Sequence, residues 1–219
     1  MITSLNPTLP TRAAAPQPPC PDAPGAEADP VFDLSYLDNA RENYFLPGVD
    51  RLAATLAAGY DGPVKVRLEA EGQFMEYTLD AHHPEAPVSG SFNGNAFELA
   101  KEDAGNGAWR LAGDTPGGAI KIKVANRPDG THANGLVNGM PLNQGIHVHG
   151  ETSAELDGNF ACARLAQTVA PEEGGLHVTG TLGRHTLDYH VTPGENDGIL
   201  IQGQFGDMTF RQTLTPVQP

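Results

Sequence analysis

The chain has 219 residues, 39% of them hydrophobic, and carries a formal charge of −14 with a pI near 4.8. Nucleic acid is gripped by clustered Lys and Arg, and 13 basic against 27 acidic residues exclude that partner and disfavour an anionic membrane surface. No apolar run approaches the roughly twenty residues that span a bilayer, and no charged segment leads into an apolar one at the N-terminus. The sequence therefore predicts no membrane insertion. It points to the cytoplasm by default, although its Gly-, Asn- and Thr-rich, Lys-poor character suits a cell surface or virion equally well.

Residues 1–30 read as a disordered tail: Pro7, Pro10, Pro16, Pro18, Pro19, Pro21, Pro24 and Pro30 alternate with Ala and Thr and supply no apolar period. Residues 31–62 form a short helical lead-in. There Val49, Leu52 and Leu56 keep i, i+3, i+7 spacing, Pro47 suits a first turn and Gly59 a stop, and the expected place of the helix is an open end of the sheet. Residues 63–219 form a single β-domain. Cys20 in the tail and Cys162 in an expected strand allow at most one internal disulfide and read as two thiols.

The β-domain is written in a repeat: apolar, any, Gly, any, apolar, four of any, apolar. Its glycines are read as Gly72, Gly90, Gly113, Gly139, Gly158, Gly180 and Gly203, spaced 18, 23, 26, 19, 22 and 23 residues apart. Asn93-Gly94 lies between two alternating runs and suits a two-residue type I′ turn, which pairs Phe92 with Asn95 and Gly90 with Phe97. The same register sets Gly180 opposite Leu187, Val178 opposite Tyr189 and His177 opposite His190. Val64, Val66 and Leu68 alternate with Lys65, Arg67 and Glu69, as strands half buried against a core do.

Connections such as Asn126-Arg127-Pro128-Asp129-Gly130 are loop formers and too short for crossover helices, which need about a dozen residues. The predicted fold is therefore all-β: an antiparallel up-and-down meander of about fourteen strands, closed as a barrel or folded as a two-layer sandwich. Gln167 and Gln212 stand where other copies carry apolar residues, and Pro141 replaces one in the fourth copy. Edges or bends are expected there.

No familiar catalytic signature is present. His147 and His149 are two apart on an expected strand and so share a face, which is how a strand offers two ligands to one metal ion. His177 and His190 are directly opposed, with Cβ atoms expected about 5 Å apart, and Asp188 and Thr179 form the next pair on that face. The two histidine pairs are three strands apart, roughly 14 Å in a flat sheet, too far to share an ion. The competing reading makes all of these ordinary members of a polar sheet face. His82, His83, His132 and His185 are read as loop or turn residues, and Asp157, Asp197, Asp207, Glu172 and Glu173 as turn acids serving local backbone bonding. Trp109, Tyr77 and Tyr189 are read as core.

The stretch Gly145-Ile146-His147-Val148-His149-Gly150 resembles the segment of copper-zinc superoxide dismutases in which two strand histidines ligate copper within an antiparallel β-barrel. The resemblance implies copper ligation by His147 and His149. It spans six residues, and the family's following Glu-Phe-Gly is absent.

Three functions remain open from sequence. The first is a non-enzymatic β-repeat module for binding or assembly, with a protein partner or a second copy. The second is a metalloprotein using copper or zinc at His147, His149, His177 and His190, with Asp188 as a further ligand. The third is a small-ligand carrier in a closed barrel.

Overall fold

A computed structural model describes residues 48–80, 83, 86–127, 130–149, 153–161 and 163–217. The expected tail, Cys20, His82 and Cys162 lie outside the described residues. Helix α1 (Val49–Ala57) is followed by fourteen strands: β1 (Val64–Ala70), β2 (Gln73–Leu79), β3 (Val88–Phe92), β4 (Asn95–Gly105), β5 (Ala108–Thr115), β6 (Gly118–Arg127), β7 (Gly130–Val137), β8 (Met140–Val148), β9 (Ala154–Phe160), β10 (Ala163–Glu172), β11 (Gly175–Leu182), β12 (His185–Pro193), β13 (Ile199–Phe205) and β14 (Met208–Pro216). Each strand pairs antiparallel with its neighbours in sequence, and β1 pairs with β14 from Val64↔Pro216 to Ala70↔Phe210, closing a barrel. Among the described residues no helix is long and apolar enough to cross a membrane.

Alternation decides which face turns inward. Val64, Val66 and Leu68 are fully buried, whereas Lys65, Arg67 and Glu69 lie on the outer wall, where Arg67 and Lys65 both bond Glu76 of β2. Arg67 also stacks on Phe74, 4.6 Å from the ring centroid. The expected register of the Asn93-Gly94 hairpin and of the β11–β12 hairpin is the observed one.

The repeat itself is more regular than its sequence reading. Gly72 and Gly139 are turn residues, with φ of 76° and 77°, not the in-strand glycines of their hairpins. The in-strand glycine of the β7–β8 hairpin is Gly135, paired with Leu142, and Leu68 takes that place in the first hairpin, opposite Met75. With Gly135 in the series, the glycines at 90, 113, 135, 158, 180 and 203 are 23, 22, 23, 22 and 23 residues apart. Asn138-Gly139 had drawn the reading four residues off because the turn also follows an apolar residue, Val137. The fourth copy thus conforms, and Pro141 lies off the core face, beside the buried Leu142.

These glycines share a steric cause. A Cβ at Gly90, Gly135, Gly180 or Gly203 would come inside 3.0 Å of a backbone carbonyl oxygen on the preceding strand, that of Glu76, Lys121, Ala166 or Asp188 respectively. Strands pinch together at the glycine, and the bend closes the wall. The inward side chain nine residues on then lies beside the next hairpin's glycine: Gln167 pairs with Gly180 and Tyr189 with Gly203.

Fourteen strands at about 4.8 Å each make a wall about 67 Å around, or about 21 Å across between backbones even before tilt. Side chains alone do not reach the middle of such a ring. Helix α1, whose bare cylinder with side chains is about 10 Å wide, fills it. Val49, Leu52 and Ala53 are 0–3% exposed and belong to one core cluster with Phe160, Leu165, Tyr189, Ile201 and Phe205 from the wall. The start of the helix is thus seated inside the barrel and not over its rim as expected, with Gly48 and Asp50 against Gln167 and Gln212 in the middle of β10 and β14.

Polar tethers explain the glutamines that broke the apolar pattern. Gln212 Nε2 donates to Asp50 Oδ1 at 3.0 Å, and Gln167 packs against Gly48, whose missing side chain makes room for it. Gln167 Oε1 also accepts from the Tyr189 hydroxyl at 3.3 Å. Arg51 Nη2 donates to the Thr131 carbonyl of β7, halfway round the wall from β14, at 3.0 Å, and burial lowers its guanidinium to about 10. Gln167 and Gln212 are buried in the wall, so these two sites, expected to be edges or bends, instead receive the helix.

Candidate metal centre

On the outer wall, β11 and β12 bring His177 and His190 together as the hairpin register requires. Their rings are stacked, with centroids 4.5 Å apart and planes 6° from parallel. The Asp188 carboxylate, two residues before His190 on the same face, places Oδ1 2.8 Å from His177 Nε2. One donor atom from each of His177, Asp188 and His190 lies within 4.8 Å of the other two. Two imidazoles and a carboxylate at that separation suit a borderline divalent ion such as zinc or copper.

A fourth side chain joins from a strand that the sequence reading did not connect to the site. Glu172 ends β10, where its register partner on β11 is Gly175. With no side chain in the way, its carboxylate crosses β11 and meets His190 Nδ1 at 2.7 Å. Glu172 was read as a turn acid; it is a strand residue 29% exposed and engaged with a histidine two strands away. The contact fixes the ring orientation and leaves Nε2 of His190 as the second nitrogen for an ion, the arrangement by which outer carboxylates orient metal-bound imidazoles.

The other predicted pair is three strands away, as the sequence spacing required: His147 is on the outer face of β8, and His149, expected on the same strand, is the residue just past its end. His147 Nε2 is 3.4 Å from Asp157 Oδ1, and His149 Nε2 is 3.8 Å from Glu155 Oε2, both acids on β9. His147 and His149 thus have separate carboxylates across the ladder. His132, read as a loop residue, sits on β7, and its ring meets that of His147 edge-on with centroids 5.6 Å apart. Asp157, read as a turn acid, sits in the middle of β9. Both errors have one source: Asn, Asp and Gly stand inside these strands as well as in the turns, so composition alone does not separate strand from turn.

His83 is bonded to Asp80 at 2.7 Å in the β2–β3 connection, and His185 stands beside the β11–β12 turn, where burial pulls its imidazole below the usual histidine range. A shallow groove of about 530 Å³ lies at the β1–β2 and β14 end of the barrel, bordered by Arg67, Phe74 and Arg211. No family model, no curated protein and no solved structure matches this chain. Its class is therefore defined by its own geometry: a closed, helix-filled, up-and-down β-barrel with histidine–carboxylate clusters on its outer wall.

Proposed function

We propose that this protein is a metal-binding module, holding a divalent transition-metal ion at His177, Asp188 and His190 on a rigid barrel wall. The observation that carries the reading is the convergence of three donor atoms within 4.8 Å, with His190 oriented by Glu172. On binding, the ion would take the place of the proton between His177 Nε2 and Asp188 Oδ1, with His190 pivoting on its Glu172 contact to present Nε2. Water completes the coordination, because the site faces solvent: His190 is 45% and Asp188 62% exposed.

The barrel closes, as the carrier alternative requires, but α1 and the large inward side chains occupy its middle. The outer wall carries Lys65, Arg67, Glu76 and Asp188, the reverse of the apolar outer band by which barrels sit in a bilayer. Both observations favour a function on the outside, in water. A binding or assembly role with a protein partner or a second copy is compatible with this reading, the ion then lying at the contact.

The test is isothermal titration of the full chain, stripped with chelator and dialysed, with zinc and separately with copper. His177→Ala and Asp188→Asn are each expected to bind one ion fewer per chain than the parent, with an unchanged β-sheet circular dichroism spectrum. An undiminished stoichiometry in both variants overturns the assignment.

A further inference from the structure

We infer that the wall carries a second, independent metal site, built from His132, His147 and Asp157 around Gly145 and not from the His147–His149 pair. The site does not rest on the one proposed above. Its frame is a single row across three strands: His132 of β7 pairs with Gly145 of β8, which pairs with Asp157 of β9. His147 is two residues beyond Gly145 and so projects from the same face. Gly145 is flanked on three sides by donors.

The position that a side chain at residue 145 would occupy is where these groups converge. A Cβ there would be 2.9 Å from Asp157 Oδ1, 3.1 Å from His147 Nε2 and 3.3 Å from His132 Cε1. Cε1 is bonded to both ring nitrogens, so a rotation about the His132 Cβ–Cγ bond brings a nitrogen to face the same point. Small rotamer changes then contract the three donors from about 3 Å to the roughly 2.0–2.2 Å of zinc–imidazole and zinc–carboxylate bonds.

This glycine differs in kind from the repeat glycines. At Gly135 or Gly203 the atoms nearest an added Cβ include backbone inside 3.0 Å, whereas at Gly145 the three nearest are all side-chain atoms of these residues. Pinching of the strands therefore does not account for a glycine here, and space for a shared ion does. His149 belongs to a different contact, its Nε2 being 3.8 Å from Glu155. The donor set is again two imidazoles and one carboxylate, which suits zinc or copper.

The experiment uses the full chain carrying His177→Ala and His190→Ala, titrated with zinc against a chromophoric chelator. One ion per chain is expected to remain, and Gly145→Ala in that background is expected to weaken it at least tenfold by filling the shared space. Because the atoms nearest the alanine Cβ are the far ends of side chains, circular dichroism should be unchanged. Histidine-selective NMR supplies the second readout: the His132 and His147 ring signals should move together up to one equivalent of zinc. No ion bound in the double-alanine background overturns the proposal. So does an ion that survives Gly145→Ala at full affinity, or one that moves His147 and His149 while leaving His132 unchanged.

Discussion

Tyr189 and Phe210 meet over Gly203, their rings edge to face with centroids 5.6 Å apart and 67° between planes. Gly203 is the register partner of both, through the β12–β13 and β13–β14 ladders. A residue without a side chain thus lets two aromatic rings from its flanking strands close the core above it. The arrangement leads directly to a stability prediction.

Gly203→Ala should destabilise the barrel by about 3 kcal/mol, at the upper end of the cost of overpacking a well-filled core. The new Cβ falls inside 3.0 Å of the Asp188 oxygen and of the Tyr189 Cα and Cβ, none of which is the end of a flexible side chain. Denaturant unfolding compares it with Gly145→Ala, which should unfold within about 1 kcal/mol of the parent, because the three atoms nearest its new Cβ are the far ends of side chains that can move aside. Equal costs at the two sites would contradict the steric account of the repeat.

Gln212→Leu should loosen the helix before it loosens the wall. The substitution removes the 3.0 Å hydrogen bond to Asp50, a loss of about 1.5–3 kcal/mol for a bond to a charged group. Hydrogen exchange should report faster exchange at the Leu52 amide, which bonds the Gly48 carbonyl, while amides of β11–β12 keep their protection. Uniform acceleration throughout would mean that helix and wall open as one unit.

The Arg67–Glu76 contact predicts an acid-side dependence of stability. Hydrogen bonding by Arg67 holds the Glu76 carboxyl below its ordinary 4.5, so its folded-state value is depressed relative to the unfolded chain. A depressed carboxyl contributes stability that is present above the unfolded value and lost as pH falls through the folded one. Glu76→Gln should therefore be less stable than the parent at pH 6–7, with the difference shrinking below about pH 4.5. The effect should be small and salt-sensitive, because Arg67 and its partners are partly solvent-exposed.

Glu172→Gln should reduce zinc affinity without removing a site. Removing a carboxylate that orients a ligating imidazole costs about 10–100-fold in metal affinity. Titration should give the parental stoichiometry with a weaker constant, and loss of a whole equivalent would make Glu172 itself a ligand.

How far the sequence reached follows from the range of each signal. The β11–β12 pairing of His177 with His190 and of Thr179 with Asp188 was legible because Gly183-Arg184 fixes register within one hairpin. Glu172 was not, since its contact depends on register between two hairpins and on a glycine in the strand it crosses. Asp157 failed for the same reason, lying on β9, one strand outside the β7–β8 hairpin that carries His147. His132 shares that hairpin, but taking Gly139 as its in-strand glycine displaced the register that pairs His132 with Gly145. The helix could be read from Val49, Leu52 and Leu56, but its seat could not. Only the unexplained Gln167 and Gln212 hinted that something polar had to be received inside the wall.

Every ladder in the wall but one joins segments that are neighbours in the chain. The exception is the clasp between β1 and β14, where Val64 meets Pro216 across 152 residues (216 − 64). Thirteen ladders can zip in sequence, each at small entropic cost, and still leave a ribbon with two bare edges, open to another ribbon. Folding speed should accordingly be governed by ring closure, and substitutions in β1 or β14 should slow folding while those in the central hairpins chiefly hasten unfolding.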